Sequence, residues 1–326
     1  MQKFPIDVVI AWVDGKDPEH RKKRQSFMNA GAESLLDEIG GDTRFNSVGE
    51  IFFCVASVLR FATFVRKIYI VTDNQDPGLS DFLERNFPNR TIDIELVDHK
   101  ILFKGYEKYL PVFNSLAIET MLWRIPGLSE HFIYMNDDFT LMKPLAADDF
   151  FAEDGTPVAY AQRFPRLFVD VLRLFKPARH GIKPLGFKDS IVNGARLIGH
   201  GLTFIYIGHT PYSGLKSFFE KFYKERPENI LLNISHRFRH AEQYNVFAME
   251  YSALERGRRL IIKPYKDVMV VINPRGRGLD YLKRKFREIA ESSGVKFCCI
   301  NSLDRTSPEE IEYAGQWMAR RLGVSF

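Results

Sequence analysis

Residues 6–15 read IDVVIAWVDG, a β-branched apolar run that stops at Asp14-Gly15. So short and continuous an apolar run marks a strand buried on both faces, as in a parallel sheet. Working outward, the pattern returns at 68–71, which leads into Thr72-Asp73-Asn74, and at 92–97. It returns again at 131–135, which leads into Asn136-Asp137-Asp138. Between these runs lie stretches of helical character at 18–29, 50–62, 79–86 and 114–122. Strand and helix thus alternate over the first 150 residues, the pattern of a doubly wound sheet. The expected fold class is α/β, Rossmann-like, with a mostly parallel sheet.

Beyond residue 150 the pattern changes. Residues 163–188 mix Phe and Leu with Arg163, Arg166, Arg173, Lys176, Arg179, His180, Lys183 and Lys188 and carry few acids. They predict an inserted helical lid or clamp. Helices are expected at 212–224 and 241–256, strands at 260–262 and 268–272, and a basic amphipathic helix at 279–292. Ser307-Pro308-Glu309-Glu310 is a capping box with proline at the first helical position, opening a last helix to about residue 322. The expected division is an α/β core over 1–150, a mostly helical insertion over 151–258, and strands and helices over 259–326 that complete the core.

Composition narrows the function classes. The chain has 326 residues; at roughly 150 per domain that is room for about two domains, and enough to bury a core without staples. A hydrophobic fraction of 45% and a charged fraction of 27% exclude a disordered chain. Forty-six Lys+Arg against 41 Asp+Glu leave +5, which suits anionic ligands but is too small to imply nucleic acid. Of the three cysteines, Cys298 and Cys299 are adjacent and Cys54 is distant, with no CxxC. Neither a disulfide scaffold nor a zinc or dithiol site is expected, and a reducing compartment fits. No signal peptide and no 18-residue apolar window is present. The expected location is cytoplasmic, with peripheral attachment at the inner membrane or to capsule machinery left open.

Generic motifs are absent: no GxGxxG, P-loop, HExxH or GxSxG occurs. What stands out is acid at strand ends. In open α/β sheets ligands bind beyond the carboxyl ends of strands, so Asp14, Asp73 and Asp137-Asp138 are candidates to line one cleft. Asp and Asn also make ordinary turns, but two adjacent carboxylates repel unless a cation or turn hydrogen bonds compensate. Carboxylates hold Mg²⁺ together with substrate phosphates, and Arg or Lys can clamp those phosphates. The pairing points to a nucleotide-sugar or other phosphate-ester substrate. Asp7 lies inside a buried strand, where an unpaired carboxylate is costly, so it must be paired or functional.

Three longer blocks carry a family resemblance. IDVVIAWVDGKDPEH (6–20) resembles the first conserved block of the stealth proteins. These are bacterial capsular polysaccharide hexose-1-phosphate transferases, related to the lysosomal-enzyme N-acetylglucosamine-1-phosphotransferase. RFNSVGEIFFCVASVLRFATFVRKIYIVTDNQ (44–75) is similar to the second block, with Glu50, Ser57, Arg66, Ile68 and Val71-Thr72 in place. VDHKILF and YLPVFNSLAIETMLWRIPGLSEHFIYMNDDF (97–139) continue it through His99, Asn114-Ser115, Glu119 and Asn136-Asp137-Asp138. GHTPYS (208–213) resembles the HxP of the third block, HRFRH (236–240) the segment that carries a functional Arg, and KFCCINS (296–302) the short fourth block.

The resemblance implies a glycosyltransferase-like sheet with an inserted lid, and a first domain that binds a nucleotide sugar. It implies transfer of N-acetylhexosamine-1-phosphate from a UDP-sugar to a hydroxyl of a growing, anionic capsule oligosaccharide. UMP would leave and a phosphodiester would form, with Mg²⁺ or Mn²⁺ as cofactor. On this reading His209, Arg239, Asp138 and Asp7 are catalytic, and Asp137 and Asp138 hold metal. Trp12, Asp14, Arg66, Asp73, His99, Asn114, Glu119 and Asn136 bind substrate. Two rivals stay open: a conventional UDP-sugar glycosyltransferase, which would release UDP, and a non-enzymatic protein that binds glycan or lipid surfaces.

Overall fold

The computed structural model describes residues 3–28, 48–165, 186–199 and 203–326. Strand β1 (Ile6–Ala11) is the centre of the main sheet. Helices α1 (Pro18–Ser26) and α2 (Glu50–Phe61) precede β2 (Lys67–Thr72). Then come α3 (Ser80–Asn86), β3 (Asp93–Asp98), the single turn α4 (His99–Leu102), α5 (Ser115–Met121) and β4 (His131–Asn136). Strands β1 to β4 pair in parallel in the order β3-β2-β1-β4, half of a Rossmann-type order. Within β1 and β2, alternate side chains serve opposite faces. Val9, Tyr69 and Val71 enter one apolar core, while Ile6, Val8, Ile10, Ile68 and Ile70 enter another. That double burial is why these strands read as continuous apolar runs.

A second sheet grows directly out of the first. Residues 137 and 138 separate β4 from β5 (Phe139–Leu141), and β5 pairs with the C-terminal part of the chain. Farther on come β6 (Val158–Pro165), α6 (Phe187–Leu197), β7 (Thr203–Ile207) and β8 (Tyr212–Leu215). Helices α7 (Lys216–Glu225), α8 (Glu228–Ile234) and α9 (Val246–Arg256) follow, then β9 (Ile261–Lys263) and β10 (Met269–Ile272). The chain closes with α10 (Leu279–Glu291), β11 (Phe297–Ile300) and α11 (Pro308–Leu322). Strand order is β10-β11-β5 in the second sheet and β7-β6-β9 in a third. The capping box that opens α11 forms as read: Ser307 and Glu310 satisfy each other's backbone N–H groups.

Two readings need correction. Residues 212–224 do not form one helix. Their first four form β8, which adds antiparallel to the edge of β4 with Tyr134 opposite Tyr212 and His131 opposite Leu215. Burial decides this: all four residues are buried, and a Cβ on Gly214 would lie 2.6 Å from Cζ of Phe132, so glycine lets the strands close up. The helix read from 241 begins at Val246, because the Asn245 side chain accepts from the N–H of Ala248 and caps it there. The segment 151–258 also holds β6, β7 and β8 beside its helices. Of the lid read over 163–188, residues 166–185 lie outside those described, and Arg163 sits on β6 paired with Glu255 at 2.7 Å. Among the described residues no helix is long and apolar enough to cross a membrane.

Candidate active site

The carboxyl ends of β1, β2 and β4 open into a cleft of about 350 Å³. Parallel register sets its rim: Ala11 stands level with Val71 on one side and Asn136 on the other. The next residue, Trp12, extends the ladder by donating its N–H to Val71 O at 2.9 Å. Beyond β4 the chain passes straight through Asn136, Asp137 and Asp138 into the second sheet, so both carboxylates sit at the junction of two sheets and face the cleft. The returning C-terminal strand clasps this junction. Ile300 donates its N–H to Asp138 O at 3.2 Å, and the Cys299 thiol lies 3.3 Å from Asp138 Oδ2.

Electrostatics at the junction are unfavourable for carboxylates alone. Burial pushes the Asp137 pKa well above its ordinary value, and the neighbouring Asp138 and Glu50 push it further. Burial also raises Asp138 to about 6; the Cys299 thiol opposes that rise and Glu50 adds to it. Asp138 Oδ1 is buried without a hydrogen-bond partner among the described residues. Hard oxygen donors that repel each other, with an unused buried lone pair, fit a divalent cation that keeps part of its shell for phosphate oxygens. Glu50 also lines the cleft, on the first turn of α2, with Val48 N–H donating to its Oε2 at 2.7 Å.

His209 and Arg239 arrive from the other half of the chain. Because β8 runs antiparallel to β4, its amino end lies at the cleft, and the loop just before it carries His209 there. The Tyr212 hydroxyl ties that loop by donating to Gly208 O at 2.8 Å, and the His209 ring stacks on Phe187 with centroids 4.8 Å apart. Burial lowers the His209 pKa and the Arg239 charge lowers it further, so the imidazole is neutral near pH 7. Arg239 is deeply buried, with Glu119 the nearest opposing charge named for it. Its loop, between α8 and α9, is held by Asn114. The Asn114 amide donates to His236 O at 2.8 Å, while its Oδ1 caps α5 through Ala117 N–H.

The cleft thus gathers Trp12, His99, Asn114, Asn136, Asp137, Asp138, His209 and Arg239. Trp12 Nε1 is a buried donor with no acceptor among the described residues, which suits a ligand contact. Burial drops the His99 pKa to about 4, so His99 is a neutral wall. Glu119 stands one layer behind, where burial raises it to about 7 against the pull of Arg239. It accepts from the Tyr134 hydroxyl at 3.3 Å, and that hydroxyl reaches Asn136 Oδ1 at 2.8 Å. Asp14 lines an adjoining cavity that shares Trp12, locked to Gln75 by two hydrogen bonds of 2.9 Å. Asp73 is held by Lys23 at 2.6 Å and does not line the main cleft.

Asp7 and Arg66 are corrected. Asp7 stands level with Lys67 and Phe132 at the amino end of the sheet, four residues and about 13 Å below Ala11. Arg66 grips it through Nε at 2.8 Å and Nη2 at 2.6 Å, and Ser129 N–H donates to it at 2.7 Å. The pair is a structural clamp, remote from the cleft. Residue reading passed over Glu50 as a site residue, although it fell within a matched block. It also passed over His20, Asn301, Ser302 and Asp304, which line the cleft as well. Ser302 holds a left-handed φ of 56°, an unusual conformation for a residue that is not glycine. No local spacing marks the C-terminal three, since pairing of β11 with β5 brings them in.

Residues 4–32 match conserved region 1 of the stealth proteins, and residues 44–159 match conserved region 2. The capsular polysaccharide phosphotransferase fcs1 of Haemophilus influenzae is 33% identical over 79% of this chain and 68% of its own length. The chain belongs to the stealth family.

Another relative of this stealth protein is the capsular polysaccharide phosphotransferase LcbA of Aeromonas hydrophila, 30% identical over 83% of this chain and 71% of its own. The receptor polysaccharide phosphotransferase WefC of Streptococcus gordonii is 28% identical over 94% of this chain and 92% of its own. Among solved structures, the galactosyltransferase LgtC aligns over 98% of this chain and 96% of its own, at 10% identity and a TM-score of 0.45. The stealth protein is an enzyme of the polysaccharide phosphotransferase group.

Proposed function

We propose that this stealth protein moves N-acetylhexosamine-1-phosphate from a UDP-sugar to a hydroxyl of a growing capsule glycan, releasing UMP. The observation that carries the reading is one cleft holding a self-repelling carboxylate group, a neutral buried His209 and a buried Arg239. That set matches the three needs of phosphoryl transfer: anionic oxygens neutralised, a hydroxyl deprotonated, and water kept away.

The acceptor oxygen attacks the sugar-proximal phosphorus. A new P–O bond forms, the bond from that phosphorus to the bridging oxygen breaks, and the electron pair leaves with UMP. The anomeric bond is untouched. His209 takes the hydroxyl proton, and Arg239 donates to phosphoryl oxygens as their charge builds. Asp137 and Asp138, with Glu50 beside them, would hold Mg²⁺ or Mn²⁺. When bound, the ion supplies neutralisation of the diphosphate charge. Trp12 and Asn136 line the wall against which the donor lies. The family membership and the polysaccharide-phosphotransferase relatives support phosphotransfer over simple glycosyl transfer.

The test is the nucleotide product. Full-length enzyme with UDP-N-acetylhexosamine and short capsule oligosaccharides should yield UMP and an acceptor heavier by one sugar phosphate. UDP with an acceptor heavier by sugar alone would replace this reading with a conventional glycosyltransferase.

A further inference from the structure

On its outer side, the loop that delivers Arg239 carries a cluster that the reaction does not use. His236 Nε2 lies 3.4 Å from Glu242 Oε2, and His240 Nδ1 lies 3.6 Å from the same oxygen. The ligand atoms of all three residues fall within 4.8 Å of one another, the tightest such set among the described residues. None of the three lines the cleft.

These distances are informative. A good hydrogen bond between nitrogen and oxygen spans about 2.7–3.2 Å, so both contacts are too long. A tetrahedral ion with bonds of about 2.0–2.1 Å separates its ligands by about 3.4 Å along each edge. Two edges of the cluster already have that length. The two imidazoles stack in parallel, centroids 3.9 Å apart and planes within 9°, which protonated rings would resist. Burial and then the neighbouring His240 lower the His236 pKa, keeping a lone pair available. The lone pair of His240 Nδ1 faces the cluster, accepting only a long 3.4 Å contact from Glu242 N–H.

The backbone beneath is fixed before any ion arrives. Asn114 holds the carbonyls of His236 and Arg237 at 2.8 and 3.3 Å. Asn193 holds those of Ala241 and Gln243 at 2.9 Å each, and Gln243 Oε1 receives the His240 N–H at 2.9 Å. The cluster's ends are thus preset, and only side-chain rotamers need adjust.

We propose that His236, His240 and Glu242 form a site for a transition metal of the zinc class, completed by water, that locks the loop bearing Arg239. Two imidazoles and one carboxylate select such an ion over Mg²⁺. Metal binding here is independent of the proposed reaction; the consequence for Arg239 rests on it.

The test uses full-length protein freed of metal, titrated calorimetrically with Zn²⁺ while excess Mg²⁺ occupies the Asp137-Asp138 carboxylates. One Zn²⁺ per chain is expected. Loss of an outer-shell partner typically costs 10–100-fold in metal affinity, so His236→Ala and His240→Ala should each cost at least about tenfold. Asp137→Asn should leave Zn²⁺ affinity unchanged. Co²⁺ should give a visible tetrahedral absorption in the wild type and not in the His variants. Absent saturable binding, or equal affinity in wild type and both His variants, overturns the site. Amide exchange over residues 235–245 should slow on adding Zn²⁺; unchanged exchange overturns the lock.

Discussion

At the residue scale, the cleft holds charges whose cost is relieved only by what binds there. Asp138 shows the sign. In chelator its raised pKa means the folded state holds a proton that the unfolded state has lost. Wild-type stability therefore falls as pH climbs from about 4 to 6. Asp138→Asn should raise the melting temperature above pH 6, change it little at pH 4, and abolish transfer; thermal denaturation and a product assay check both. A lower melting temperature at pH 8 would contradict the repulsion. Two arginines contrast in the same way. Arg239→Ala removes a donor aimed at developing charge and should lower kcat by about 10²–10³ with a smaller change in donor affinity. Arg66→Ala strands the buried Asp7 carboxylate. It should cost about 2–3 kcal/mol, below the range for a fully buried pair because Arg66 reaches solvent. Turnover per folded molecule should be unchanged, and a collapse of kcat in stable Arg66→Ala would return that pair to the active site.

At the element scale, β8 sets the position of His209. The strand closes on β4 because Gly214 leaves room for Phe132, whose ring is also packed against Phe219 and Phe247. Gly214→Ala should cost about 1–3 kcal/mol as an overpacked core substitution and should lower kcat too, since the loop before β8 would shift. Adding Phe132→Leu should recover part of both losses, a coupling that a double-mutant cycle measures. Additive losses would show that the ring does not set the strand. β8 was also the element hardest to read. Tyr212-Ser213-Gly214-Leu215 runs into the amphipathic helix α7 with no break residue that announces a change. Its strand state comes from an edge of β4 that lies far away in sequence.

At the whole-molecule scale, the N-terminal sheet supplies the carboxylates, the middle of the chain supplies His209 and Arg239, and the C-terminal strands clasp the junction. The product carries a phosphodiester in each repeat, so a long acceptor is a polyanion. Exposed Arg275, Arg277, Lys283, Arg284 and Arg287 lie on and before α10. Replacing the three α10 residues by Gln should reduce efficiency on long acceptors more than on short ones. The wild-type preference for length should fade with salt. Equal losses on both lengths, or no salt effect, would make this an ordinary solvated face. By itself the sequence determined the alternation of strand and helix, the strand ends at Trp12 and Asn136-Asp137-Asp138, and the family blocks. Each is local: burial on both faces writes apolar runs, and turn chemistry writes their ends. Tertiary structure alone decided that Asp7 grips Arg66 rather than substrate. It also decided that Tyr212 begins a strand and that Glu50, Asn301, Ser302 and Asp304 share the cleft. Those outcomes depend on register and on pairing between distant segments, and a side chain's spacing along the chain carries no record of which strand will lie beside it.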